Sequence, residues 1–154
     1  YGAMQMSAAL TLAKLEHFNH ILPLVNAYHD EAKLTINSKE CHAAVRSLLQ
    51  GIPQGAAYLI GPPKAPIGYI IITFSWSIKL GGMDGWIDEI YVRPNVRRRG
   101  IAGEVLTSLS KALLGAGLKG LHAKVSKENS EIVKIYESKG FVLDKNFQMM
   151  KKIL

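Results

Sequence analysis

Apolar residues recur along the chain with two different periods, and the alternation between them predicts its elements. Leu15, Phe18, Leu22 and Val25 follow helical spacing and predict a helix over Leu15–Tyr28, kinked or broken at Pro23. A second helix is expected from Ser38, read as its N-cap, to near Gly51. Ile101, Val105, Leu106, Leu109, Ala112 and Leu113 mark one face of a third, closed by Gly115 and Gly117. Ser130–Lys139 reads as a short fourth, stopped by Gly140. Strands are predicted at Ala8–Ala13, Ala56–Ile60, Ile67–Trp76, Trp86–Val92, Leu121–Val125, Phe141–Leu143 and Phe147–Ile153. The Gly/Pro-rich segment Gly61–Pro66 and the segment Leu80–Gly85, with three glycines, read as turns. The order is helices, a β-meander, then strand–helix–strand–helix–strand. That is a mixed α/β layer fold with one central crossover.

With 154 residues, the chain fits one domain, and a domain of about 150 residues buries roughly 70% of its unfolded surface. A shaped cleft is therefore affordable. Tyr1-Gly2-Ala3 ahead of Met4 reads as an expression-tag scar, with Met4 or Met6 as the expected start. No apolar run approaches the ~20 residues of a membrane-spanning helix, and no secretory pattern is visible at the start. The single cysteine, Cys41, excludes an internal disulfide and is compatible with a cytoplasmic setting.

The formal charge of +7 is unevenly spread. Residues 1–92 carry six Lys/Arg against seven Asp/Glu, whereas residues 93–154 carry thirteen against five. A basic C-terminal part suits a solvated surface, a nucleic-acid face or a polyphosphorylated cofactor. The third is favoured by Arg97-Arg98-Arg99-Gly100-Ile101-Ala102-Gly103, which follows a strand and opens a helix. A helix start presents N–H groups with no partner inside the helix and a partial positive charge, and phosphate oxygens satisfy both. Gly100, Ala102 and Gly103 let a ligand approach the backbone closely. Gly115–Gly120 also fits G-x-G-x-x-G, but it follows a helix and precedes a strand, so it reads as a helix stop.

Arg97, Gly100 and Ala102 fill the motif Gln/Arg-x-x-Gly-x-Gly/Ala. The approach Ile87-Asp88-Glu89-Ile90-Tyr91-Val92-x-Pro94 and the later Asn129-Ser130…Tyr136-Glu137-x-x-Gly140-Phe141 accompany it. These segments, in this order, resemble the GNAT superfamily of N-acetyltransferases, over about Ile67 to Leu154. The resemblance implies a single domain with a central, mixed, mostly antiparallel twisted sheet flanked by helices. Its fourth and fifth strands, here Trp86–Val92 and Leu121–Val125, would splay to admit acetyl-CoA. Backbone amides of Arg98, Arg99, Gly100, Ile101, Ala102 and Gly103 would bind the pyrophosphate. Backbone groups of Ile90 and Val92 would pair with the pantetheine arm. Asn129 would hydrogen-bond near that arm, and Tyr136 would stand beside the sulfur. A homodimer is compatible with this family.

Acyl transfer from a thioester to an amine needs a neutral amine, donors for the oxyanion and a proton for the departing thiolate. Tyr136 is the candidate proton donor. A backbone N–H near Ile90 or Tyr91 is the candidate for the oxyanion. Asp88 and Glu89 are the candidate bases or amine-attracting groups. Strand alternation sends them to opposite faces, and Asp88, sharing parity with Trp86, Ile90 and Val92, is preferred. The five histidines show no metal-ligand spacing. Cys41 reads as a small buried residue rather than a nucleophile. Two alternatives stand beside the enzyme: an acyl-CoA-binding module without turnover, and a nucleic-acid-binding basic protein. The latter lacks a recognised motif and an aromatic platform. The acceptor is expected to be a small-molecule or peptide amine.

Overall fold

A computed structural model describes residues 9–154. Ala8, assigned to the first strand, and the residues read as a tag scar lie outside the described residues. Five strands form one sheet in chain order: β1 (Leu10–Leu12), β2 (Gly55–Ile60), β3 (Gly68–Ser77), β4 (Gly82–Val92) and β5 (Leu121–Ala123). The first four pair antiparallel and β5 joins β4 in parallel, after the crossover through a helix. Helices α1 (Phe18–Glu31), α2 (Ser38–Leu49), α3 (Ile101–Gly115) and α4 (Ser130–Ser138) cover the sheet. None of these helices is long and apolar enough to cross a membrane.

Two apolar layers hold this arrangement. Ile21, Leu24 and Val25 of α1 and Val45 and Leu49 of α2 pack on Ala57, Leu59, Tyr69, Ile71 and Tyr91. On the other face, Ile101, Val105, Leu106, Leu109 and Leu113 of α3 pack on Ile60, Ile70, Ile72, Ile87 and Val92. The alternation Tyr69/Ile70/Ile71/Ile72 is what lets one strand serve both layers. Gly68 is fixed by proximity: a Cβ there would lie 2.1 Å from the Tyr91 carbonyl oxygen.

Several expectations are corrected. Leu80–Gly85 is not all turn: β4 begins at Gly82, paired with Ser77, because the hairpin closes over Ile78–Gly81. Gly85 has no room for a side chain, since Leu118 and Leu121 stand 3.0 and 3.4 Å from where its Cβ would be. The N-cap of α2 is Asn37, whose Oδ1 accepts from the Glu40 N–H at 3.0 Å, and Ser38 is the first helical residue. Pro23 does not break α1, which runs through it after a 3₁₀ turn over Leu15–His17; the bond its ring removes is offset by Ile21, Leu24 and Val25, which pack on the sheet on either side of it. Phe141–Leu143 and Phe147–Ile153 form no ladder and are irregular, with Val142 and Met150 almost fully exposed.

Leu106 is fully buried in the α3 layer. Leu106→Ala is expected to cost about 3 kcal/mol, within the usual range for a buried leucine, read as a lower denaturation midpoint at an unchanged slope.

Candidate active site

The helix start after β4 is shaped by backbone conformation. Arg98 and Gly100 both adopt left-handed φ, 64° and 77°, and Gly100 is the N-cap of α3. Among the described residues, none of the backbone N–H groups of Arg98 through Gly103 has a hydrogen-bond partner; the first helical bond runs from Glu104 to the Gly100 carbonyl. Such a run of outward donors at a helix start is an anion cradle. A Cβ on Gly100 would meet nothing within 4 Å. Gly103 abuts Lys139, whose Nζ lies 3.7 Å from the position of a Cβ there, adding a cation beside the cradle. These donors fit a diphosphate.

The three arginines divide. Arg97 is a brace: Nε donates to the Val92 carbonyl at 2.8 Å, the guanidinium pairs with Glu31 at 2.8 Å, and it lies over the Tyr91 ring. It thus ties the end of α1 to the end of β4 and occupies one acceptor position of Val92. Arg98 reaches Glu131 of α4 at 3.2 Å across an exposed surface. Arg99 is exposed and close to the cradle in sequence.

Strand β4 then parts from β5. The two share only Gly85–Leu121, Trp86–His122 and Ile87–Ala123 as pairs. Beyond Ile87, the backbone of Ile90, Tyr91 and Val92 has β3 on one side and no strand on the other. The parting is where the resemblance places it.

A β-bulge sits at that point. Ile72 pairs with Ile87 and Ile71 with Glu89, leaving Asp88 unopposed. This corrects the strand-alternation argument. Ile87, Ile90 and Val92 all join the α3 layer despite their mixed parity, and Glu89 turns toward α1. Asp88, unopposed at the bulge, is exposed, so alternation no longer assigns it and Glu89 to opposite faces.

Glu89 is the hub of the acidic side. It accepts from the Tyr69 hydroxyl at 2.7 Å and lies 2.6 Å from His29 Nε2. Cys41 Sγ is 4.0 Å from His29 Nδ1. Burial first, and then the Glu89 charge, push the Tyr69 hydroxyl far above its ordinary range. The same two causes raise the Cys41 thiol, which fits a packed thiol better than a nucleophile. Tyr28 is also raised, by burial and then by Glu89, Asp88 and Glu31. Asp88 is exposed.

Tyr136 is buried in the α3 layer, edge-on to Phe141 with ring centroids 4.9 Å apart. Burial, and then the neighbouring Tyr28, push its hydroxyl up to about 12. Tyr28 and Tyr136 belong to opposite layers of the sheet. Asn129 caps α4, its Oδ1 accepting from Ile132 N–H at 3.2 Å, which leaves the side-chain NH₂ to face outward.

Ile90, Val92, Ile101 and Tyr136 thus share the α3 layer, while Glu89 stands on the α1 side. Sequence reading missed Tyr28, His29 and Tyr69. Tyr69 carried a faint signal, since it alternates with Ile70 and so faces the helices, but its meeting with Glu89 depends on the bulge. Nothing in the sequence pattern singled out Tyr28 or His29.

The fold and the site together define a mixed-sheet domain with an anion cradle beside a split between parallel strands. The chain belongs to the Acetyltransferase (GNAT) family, whose model matches residues 9–141. Acetyltransferase ECA0875 of Pectobacterium atrosepticum is 34% identical over 61 residues, 38% of this chain and 43% of that protein. Thialysine N-epsilon-acetyltransferase of Bos taurus is 28% identical over 82 residues, 52% of this chain and 48% of that protein. The chain therefore matches less than half the length of these curated relatives. The integron cassette protein HFX_CASS3, from the mobile metagenome of Cole Harbour Salt Marsh, shares the fold. It has a TM-score of 0.84 and 21% identity over 100% of this chain and 95% of that one.

Because burial favours the neutral phenol, folded Tyr136 holds its proton more tightly than the unfolded residue. That contribution is intact below about pH 10 and is lost as pH rises through about 12. Wild-type protein is expected to lose stability over this window more steeply than Tyr136→Phe, measured by urea denaturation at each pH.

Proposed function

We propose that this chain transfers an acetyl group from acetyl-CoA to a primary amine by direct attack in a ternary complex. The observation that carries the reading is the row of unpartnered amides from Arg98 to Gly103 beside the parted strands. The cradle takes the pyrophosphate, with Lys139 and Arg99 adding charge. The exposed edge of Ile90, Tyr91 and Val92 receives the pantetheine amides as an added strand would, and the Asn129 NH₂ group meets the same arm. A backbone N–H at Ile90 or Tyr91, next to the bulge, faces the developing oxyanion.

The two carboxylates divide the acidic work. Asp88, exposed, draws the cationic amine toward the slot. Glu89, held by His29 and Tyr69, is the proton acceptor, with His29 behind it to share the charge. This reverses the preference for Asp88 that strand alternation favoured, because the bulge removes its basis.

Tyr136 stands on the opposite side of the slot. Its hydroxyl keeps its proton at every physiological pH, but the same burial makes it a weaker acid. Outright transfer to a thiolate with a pKa of ~8.5 is uphill by roughly three to four powers of ten. Tyr136 therefore acts as a hydrogen-bond donor that stabilises the sulfur as it departs as the CoA thiolate, while Glu89 takes the proton lost by the attacking nitrogen. The alternative of an acyl-CoA binder without turnover does not require this donor, nor the half-buried Glu89 carboxylate held by His29 and Tyr69.

Three measurements test the reading. Free-thiol release from acetyl-CoA should depend on added amine; a purified protein that ignores millimolar CoA would remove the proposal. Tyr136→Phe should lower kcat by about 100- to 1,000-fold while sparing CoA affinity, the loss expected for one transition-state donor. Unchanged turnover would take Tyr136 out of the mechanism. Glu89→Gln should lower kcat by about 100-fold or more, whereas Asp88→Asn should chiefly raise KM for the amine.

A further inference from the structure

A second cluster on the same sheet takes no part in the transfer described above. Asp84 of β4 is 6% exposed. The Ser75 hydroxyl donates to its Oδ1, and His122 Nε2 lies 2.9 Å from its Oδ2. The His122 ring stacks on Trp86, centroids 4.8 Å apart and planes at 25°. Gly120 lies beside the ring: a Cβ there would be at ordinary contact distance from His122 Nε2, 3.6 Å, and only 2.8 Å from Leu80 Cδ1. An ionised carboxylate only accepts, so Nε2 carries the hydrogen toward Asp84 and Nδ1 is the nitrogen left for a ligand. Nδ1 has no partner among the described residues, and the side chain is 39% exposed.

Strand register places this cluster. Trp86 and His122 are paired one position before β4 and β5 part. Their neighbours Ile87 and Ala123 pack into the α3 layer, so by alternation Trp86 and His122 belong to the opposite face. That is the face of Glu89 and Tyr28. Exposed Asp88 lies between Trp86 and the reaction centre along β4. At about 3.3 Å per residue, with the bulge shortening the path, Trp86 and His122 lie on the order of 10 Å from the backbone of Ile90.

We infer that His122, oriented by Asp84 and Ser75 and supported by Trp86, is a second recognition point for the acceptor. It takes a donor group, preferably an ammonium, held on the order of 10 Å from the reacting nitrogen. The acceptor is accordingly an extended amine with a second cationic donor, running over the Trp86 ring and past Asp88. The spacing rests on the proposed transferase reading, which fixes where the reacting nitrogen lies.

Binding can be read without turnover. Trp76 and Trp86 are the two tryptophans, so Trp76→Phe leaves Trp86 as the only indole reporter. Its emission is titrated with octamethylenediamine, octylamine and ethylenediamine. Octamethylenediamine should bind about tenfold more tightly than the other two, a gap typical of one well-placed polar contact. In the further variant His122→Phe, which keeps the stack, that preference should fall to within about twofold. Equal affinities in the single-tryptophan protein, or a preference that survives His122→Phe, would overturn the inference. If His122→Phe does not fold, the first comparison still decides. A diamine preference without any acetyl transfer would uphold the second recognition point and remove the transferase reading. Acetylation of all three amines with no diamine preference would do the reverse.

Discussion

Parallel strands β4 and β5 cease to bond after Ile87 and Ala123, and the rest of the molecule's chemistry follows from that parting. A β-strand whose neighbour has left presents unpaired polar groups, which cost free energy unless water or a ligand takes them. Here the exposed edge leads directly into the turn at Arg97–Gly100 and the start of α3. The donor row of the cradle and the bare strand edge therefore form one continuous surface.

The parting also joins two layers that a closed sheet would keep apart. Tyr136 is packed among the residues of α3, whereas Tyr28 lies on the α1 side with Glu89. The bulge at Asp88 completes the arrangement, since it turns Glu89 toward His29 and Tyr69 and lets Ile90 return to the α3 layer. One inserted residue thus sets a carboxylate on one side of the slot and keeps the apolar core intact on the other. Arg97 serves the same end from outside, tying Glu31 and the Val92 carbonyl together so that α1 and β4 keep their spacing.

Much of this was legible in the residue pattern. Helical spacing at Ile101–Leu113 and alternation at Ile67–Trp76 placed elements within a residue or two. The basic glycine turn marked the helix start, because both features are local: a few residues decide φ, capping and which face is apolar. The irregular stretch Phe141–Leu154 shows where local reading fails. Its apolar residues suit a strand, but a strand exists only when a partner edge is available, and β5 forms just three residues of ladder.

The sequence by itself determined the order of elements, the two-sided apolar character of β3 and the basic glycine turn that opens α3, because period, glycine position and charge act over a few neighbouring residues. Only the tertiary structure decided the face of Glu89, its meeting with His29 and Tyr69, and the Asp84–His122–Ser75 cluster. Each of these depends on register between strands far apart in the chain, and a single bulge reverses alternation without leaving a mark in the residue pattern.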